Sequence, residues 1–226
     1  MQENIVIVIP AYNEEKNIEE TIKKAKKVFQ NIIVVDNNSS DKTARLVKKN
    51  NKVILIKHKQ NLGKSNSLKT GCDLAIKLKF KYIAFMDADG QHDAMDLKKM
   101  YDEISKKNKD MIIGFREKLD EMYFYKRFGT ICLEKIFHIL YKKKIKDIQC
   151  GLRIFKSQII KKILWDSTGA AHYFADAEIT SNAVKQSLEI TQLPIKTIKS
   201  DDKYKGMNIF QGLLLILFLF NWRLNK

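Results

Sequence analysis

Residues 82–92 read Tyr82-Ile83-Ala84-Phe85-Met86-Asp87-Ala88-Asp89-Gly90-Gln91-His92, an apolar run that ends in two aspartates one residue apart. A buried strand with that ending sets both carboxylates on one edge of a sheet, facing solvent at the same spot. Two unpaired carboxylates so close repel each other, which calls for a hard divalent cation between them. The cation in turn calls for a phosphorylated substrate, because magnesium or manganese binds through a few carboxylates plus phosphate oxygens. The competing reading is a helix N-terminus, with Asp89 or Asp93 capping the helix that follows. Taken alone, the stretch leaves both open.

Outward from it, strands and helices alternate. The pattern predicts a buried strand over residues 5–9, then a helix opening at Asn13-Glu14-Glu15 and running to about residue 29. A second buried strand, residues 32–35, ends in Asp36. Ser40-Asp41 caps a helix to about residue 49, and residues 53–56 form a third strand. Residues 61–78 are helical, with Leu68, Cys72, Leu74, Ala75 and Leu78 along one side. After the Asp-x-Asp strand come a helix from about residue 94 to 106 and a strand over 111–114. This alternation means an α/β fold whose mostly parallel central sheet carries helices on both faces. In such sheets a ligand sits at the carboxyl ends of the strands. Those ends hold Pro10-Ala11-Tyr12, Asp36-Asn37-Asn38 and Asp87-Ala88-Asp89. No GxGxxG follows the first strand and no GxxxxGK[ST] occurs, so neither a dinucleotide site nor a P-loop is indicated.

At 226 residues the chain is large enough for one domain with a full core, with room for a small appendage. It goes almost directly into residues 5–9, too short and too β-branched for a secretory h-region. Cys72, Cys132 and Cys150 are odd in number and widely spaced, which suggests neither a disulfide framework nor a zinc site and fits a reducing cytoplasm. The net charge of +16 invites nucleic acid, anionic membrane or phosphate-bearing substrates. A nucleic-acid binder would gather its lysines in a patch interleaved with aromatics, whereas these are dispersed, so nucleic acid is not expected. Of the 42 basic residues only five are arginines: Arg45, Arg116, Arg127, Arg153 and Arg223. Where a lysine-rich chain turns to arginine, a planar fork for phosphate is one reason.

The runs IVIVIPAYNEEKNIEETI (5–22), IIVVDNNSSDKTARLV (32–47), NLGKSNSLKTG (61–71) and YIAFMDADGQHD (82–93) together resemble a family 2 glycosyltransferase of the GT-A fold. Further on, GFRE (114–117), DIQCGLRIFK (147–156) and YFADAEITSNAVKQSLEITQLPIK (173–196) resemble the subgroup that transfers a sugar to polyprenyl phosphate, the dolichyl-phosphate mannosyl- and glucosyltransferases. Asp147-x-Gln149-Cys150-Gly151 and Phe174-x-Asp176-x-Glu178 lean toward the glucosyl branch. The resemblance implies a catalytic domain over 1–206, with a nucleotide-sugar half (1–115) and an acceptor half (116–206). It also implies metal-dependent, inverting transfer of a hexose from UDP-glucose or GDP-mannose to the lipid phosphate.

The same resemblance implies that Pro10, Tyr12 and Glu14 line the nucleotide pocket and that Asp36 holds the base, with Lys64 and Ala88 also on the nucleotide-sugar side. Tyrosine can stack on a ring, and a carboxylate can accept from a base imino group. For Asp36 a plain turn role in DNNSSD is the alternative, and for Lys64 a solvated helix-face lysine. Asn37 departs from the second aspartate usual in the family. Asp87, Asp89 and Gln91 are expected to hold Mg2+ or Mn2+ on the diphosphate, with Asp89 catalytic. A polyprenyl phosphate is already an anionic nucleophile, so what it needs is a cationic cradle. Arg116 and Arg127 match the family's phosphate-binding arginines; the alternatives are Arg116 paired with Glu117 or Asp120 and Arg127 on a helix face. A third family arginine is absent, and Lys203 and Lys205 in SDDKYKG are its substitutes. Asp176 and Glu178 either order the acceptor loop, cap a helix or, with a saccharide acceptor, supply Asp176 as general base.

Residues 207–226 form a C-terminal apolar segment. The unbroken apolar run, residues 213–220, is too short for a span of about 20 apolar residues. An interfacial helix over 209–222 fits, with Trp222 at headgroup level and Arg223 and Lys226 behind it. A core helix, or a segment binding a membrane-anchoring partner protein, is the alternative. Peripheral attachment to the anionic, cytoplasmic face of a membrane is the expectation.

Overall fold

In a computed structural model of the chain, which describes residues 4–117, 124–163, 174–198 and 209–225, seven strands form one sheet. The elements follow in the order β1 (Ile5–Ala11), α1 (Ile18–Lys26), β2 (Ile32–Asp36), α2 (Thr43–Lys48), β3 (Val53–Lys57), α3 (Gly63–Lys77), β4 (Tyr82–Phe85), α4 (Ala94–Lys107), β5 (Met111–Arg116), α5 (Phe124–Tyr141), β6 (Arg153–Lys156), α6 (Ser157–Ile160), α7 (Ala175–Lys185), β7 (Ile190–Ile195) and α8 (Ile209–Asn225). The strand order is β3-β2-β1-β4-β6-β5-β7. Among these strands only β6 runs against the rest, pairing antiparallel with β4 and β5, so the sheet is mostly parallel as its sequence predicts. Pro194 lies in β7, an edge strand, where a missing N–H costs the ladder least.

The period of two in β1 divides the core. Ile5, Ile7 and Ile9 pack with Ile18 and Ile22 of α1 and Leu97, Met100 and Ile104 of α4 on one face. Val6 and Val8 pack on the other with Leu68, Cys72 and Ala75 of α3. Helices therefore cover both faces, and a β1 without polar residues follows from burial on both sides. Gly71 lets α3 lie flush on the sheet: a Cβ there would stand 2.3 Å from Val8 Cγ1.

α1 starts at Ile18, not at Asn13. The N–H groups of Asn13, Glu14 and Glu15 donate instead to Ser39 Oγ, Thr43 Oγ1 and Asp41 Oδ2, and Asn13 adopts φ 54°. Side chains from the loop after β2 thus take the donors that a first helical turn would leave unpaired.

The tail differs from its expected setting. α8 packs through Leu215, Leu219 and Trp222, and Trp222 is 4% exposed. The indole N–H of Trp222 donates to Asn182 Oδ1 at 2.8 Å and its ring stacks on Phe218. The Trp222 carbonyl accepts from Lys185 Nζ, and the Leu219 carbonyl from the Tyr141 hydroxyl. Trp222 is therefore a core residue and not a headgroup anchor, because α7 supplies its indole with a buried acceptor. The opposite side of α8 exposes Phe210, Leu213, Leu217 and Leu224. Among the described residues, no helix is long and apolar enough to cross a membrane.

Candidate active site

The parallel strands end along one edge, and the chain returns to that edge where the antiparallel β6 begins. Ala11 pairs with Asp36, so the loops after β1 and β2 leave side by side. They lock together: besides the three bonds to residues 13–15, Asn13 Oδ1 accepts from Ser40 N and Glu15 Oε2 from Lys42 N. Asp36 is fully buried. Its Oδ1 accepts from Ser39 N at 3.2 Å, while Oδ2 has no hydrogen-bond partner among the described residues. A buried carboxylate oxygen left unpaired is costly unless a ligand donor meets it. Beside it Tyr12 is 48% exposed, Pro10 is half-buried, and Glu14 Oε2 accepts from Asn17 Nδ2. Asn37 serves the structure, since its Oδ1 accepts from Leu62 N and faces His58 Nδ1, and its Nδ2 donates to Asn61 Oδ1. This staples the end of β2 to the start of α3. Burial lowers the His58 pKa.

Asp87 and Asp89 follow β4. The capping role belongs to Asp93, whose Oδ1 accepts from Met95 N at 2.9 Å, so Asp89 is not the cap of α4. Asp89 accepts instead from Gln91 N at 3.0 Å and Gln91 Nε2 at 2.6 Å, so of the Gln91 amide only Oε1 could meet a cation. The Ala88 side chain is buried with Met86, and its carbonyl accepts from the Thr21 hydroxyl, so only its N–H could serve a ligand. Asp87 is backed by Gly151, where a Cβ would stand 2.1 Å from Asp87 Oδ2. Its Oδ1 meets Lys64 Nζ at 2.7 Å and its Oδ2 meets His92 Nε2 at 3.3 Å. Burial alone would raise the Asp87 pKa, but the Lys64 ammonium and His92 hold it well below the usual carboxylate range. Among the described residues no three His, Cys, Asp or Glu side chains cluster as a protein-only metal site. Two carboxylates and an amide oxygen nonetheless fit Mg2+ or Mn2+, which keep further positions for phosphate and water.

Lys64, in the first turn of α3, is no solvated surface lysine. Its Nζ also lies 2.8 Å from Asp176 Oδ2, and its side chain is 25% exposed. Burial opposes its charge, but Asp176 and Asp87 outweigh burial and raise its pKa. Asp176, 6% exposed, faces inward: Oδ2 to Lys64, and Oδ1 toward Arg153 Nε at 3.7 Å. Glu178 is buried beside it, accepting from Ser65 Oγ at 3.2 Å. Arg153 is the hub that its sequence does not announce. Fully buried, it donates from Nε to the Cys150 carbonyl, from Nη2 to the Ile148 carbonyl and from Nη1 to Thr180 Oγ1.

The pinned loop carries Asp147, at φ 47° and 1% exposed. Asp147 clamps Arg116 through Nε at 2.6 Å and Nη2 at 2.7 Å. The fork of Arg116 is thus committed to Asp147 and not to Glu117, its neighbour in the chain, while Asp120 lies outside the described residues; a phosphate would meet a guanidinium already paired and aimed. Burial disfavours the Arg116 charge, but Asp147 outweighs it and raises the pKa. Arg127 is exposed on the first turn of α5. Lys203 and Lys205 lie outside the described residues. Asp147, His92, Gly151 and Arg153 complete the site. The runs DIQCGLR and DADGQH carry their sequence signal, and only the folded context gives each its role.

The geometry has counterparts among known proteins. The profile of "Glycosyl transferase family 2" matches residues 6–164. An uncharacterized protein of Methanocaldococcus jannaschii is 36% identical over 224 residues, covering 96% of this chain and 91% of that one. The UDP-N-acetylglucosamine–dolichyl-phosphate N-acetylglucosaminyltransferase of Methanococcus voltae is 32% identical over 244 residues, covering 98% and 97%. The crystal structure of glucosyl-3-phosphoglycerate synthase from Mycobacterium tuberculosis, in complex with Mn2+, UDP and glucosyl-3-phosphoglycerate, superposes with a TM-score of 0.75 at 15% identity. It matches 97% of this chain and 79% of that one, a likeness of fold. The chain belongs to glycosyl transferase family 2: it is a glycosyltransferase with the GT-A fold.

Proposed function

We propose that this enzyme transfers a sugar from a UDP-sugar, with UDP-N-acetylglucosamine and UDP-glucose as the leading donors, to a dolichyl-type polyprenyl phosphate. The observation that carries the acceptor reading is Asp176. It is 6% exposed and turned toward Lys64 and Arg153, a poor position for abstracting a proton from an acceptor hydroxyl. An acceptor that arrives as a phosphate anion needs no such base. The Methanococcus voltae relative and the dolichyl-phosphate beta-glucosyltransferase of Dictyostelium discoideum, 28% identical over 221 residues, support the same class.

In this reading Asp36 Oδ2 accepts from the base and Tyr12 stacks on it. Asp87, Asp89 and Gln91 hold Mg2+ or Mn2+, which when bound neutralises charge building on the diphosphate. Arg116, aimed by Asp147, and Arg127 draw the acceptor phosphate toward the sugar against repulsion from the diphosphate. Its oxygen attacks the anomeric carbon as the bond to the nucleoside diphosphate breaks, with inversion and no net proton transfer. We place the reaction at the cytoplasmic face of a membrane. The exposed apolar side of α8 and the surplus of lysines supply apolar and electrostatic attraction to an anionic surface.

The test is a panel of labelled UDP- and GDP-sugars with added polyprenyl phosphate, or with a saccharide, each with and without Mg2+ or Mn2+. Metal-dependent label in the lipid fraction from a UDP-sugar is expected. Label moving only to the saccharide would overturn the acceptor.

A further inference from the structure

Lys64 stands between two carboxylates, and one of them is a proposed metal ligand. Its Nζ lies 2.7 Å from Asp87 Oδ1 and 2.8 Å from Asp176 Oδ2. Asp87 has little freedom to turn away, since Gly151 backs it and His92 Nε2 faces its second oxygen. An ion bound to Asp87 therefore shares a carboxylate with an ammonium. A metal–oxygen bond of about 2.1 Å to Asp87 Oδ1 puts the two cations within about 5 Å of each other, in a largely desolvated place where like charges repel strongly. A diphosphate that arrives with the ion removes the repulsion, because the dication's charge is cancelled in a nucleotide-sugar complex and exceeded in a free nucleoside diphosphate complex, and the ammonium meets phosphate oxygens instead of a bare cation. The lysine stem is flexible enough to follow that charge.

We infer that Lys64 is an electrostatic filter: it bars Asp87 to a free metal ion and admits the ion together with a diphosphate. The inference rests on the reading of Asp87 as a metal ligand. It assigns Lys64 a role beyond supporting the nucleotide, namely making metal and donor binding interdependent.

The experiment measures Mn2+ binding by the loss of the free-ion EPR signal, without turnover, relative to a protein-free control with the same Mn2+ and nucleotide. In the wild type, adding UDP, with GDP in parallel, tightens Mn2+ binding about 100-fold, and Mn2+ alone binds weakly. In Lys64→Met, Mn2+ alone binds about tenfold or more tightly than in the wild type, and the gain from nucleotide shrinks. Lys64→Gln repeats the result with a polar side chain, and both variants are first checked for a cooperative thermal transition. Unchanged or weaker Mn2+ binding in the folded variants overturns the filter. So does a wild type that binds Mn2+ equally well with and without UDP, a result that needs no variant. A wild type that binds Mn2+ under neither condition removes the metal reading itself, and the filter with it.

Discussion

The β1–β2 side of the strand edge, the proposed nucleotide side, and the side beyond β4, the proposed acceptor side, are held in different ways. After β1 and β2, neighbouring loops bind each other through hydroxyl, amide and carboxylate side chains on backbone N–H groups: Ser39 and Thr43 on residues 13 and 14, Asp41 on residue 15, Asn13 on residue 40. Beyond β4 the fastenings are charged and distant in sequence: Lys64 to Asp176, Arg116 to Asp147, Arg153 beneath both. Backbone fastenings make a socket that survives the loss of one side chain. A balanced set of buried charges does not, since removing one member leaves its partner uncompensated. The nucleotide side should therefore tolerate substitution with folding intact, and the acceptor side should couple activity to stability.

The largest effect on that contrast is expected at Asp89. Asp89→Asn removes a charged ligand without changing volume, and turnover should fall about 10³-fold, the equivalent of several kcal/mol. The thermal midpoint should move little. EDTA should do the same to the wild type, with recovery on adding Mg2+ or Mn2+; undiminished turnover in EDTA would end the metal-dependent reading.

Deleting residues 207–226 should cost the cooperative thermal transition, because α8 covers core around Phe137, Tyr141 and Ile179 and meets the indole acceptor Asn182. A truncated protein with a sharp transition, still raised by nucleotide, would make α8 an appendage. Arg153→Met follows, at about 3–5 kcal/mol of lost stability in chemical denaturation, since the carbonyls of Ile148 and Cys150 and the Asp176 carboxylate lose their cation. A loss below about 1 kcal/mol would show that Arg153 is dispensable as a hub. The smallest effect is Arg127→Lys, which keeps charge and loses the planar fork. Its KM for lipid phosphate should rise about tenfold with UDP affinity unchanged. If both move together, Arg127 belongs to the nucleotide side or to the fold.

The same division decides what can be read in the sequence. β1, β2, β4 and the carboxylates at their ends are legible because burial on both faces leaves unbroken apolar runs, with the polar residues stacked where the runs stop. The start of α1 is not, because the N–H groups of residues 13 and 15, where the sequence opens the helix, are taken by residues 26 positions away. Arg153 reads as one arginine among five, and nothing local says that it holds two carbonyls and faces Asp176. Arg116 stands out, but Glu117 beside it in the chain suggests a local partner, while Asp147 stands 31 residues on. α8 misleads for another reason. A helix apolar on nearly every side does not say which side meets the domain, and Asn182 makes the choice.

The central claim, that charge and not a general base prepares the acceptor, is tested most directly by offering one polyprenyl chain in two forms, as the phosphate and as the free alcohol. Wild type and Asp176→Asn are compared at matched donor and metal, below the measured thermal transition of the variant, so that lost stability is not read as lost chemistry. The account predicts product only with the phosphate, and a turnover by Asp176→Asn within about tenfold of the wild type. Transfer to the free alcohol at a comparable rate, abolished by Asp176→Asn, would contradict it.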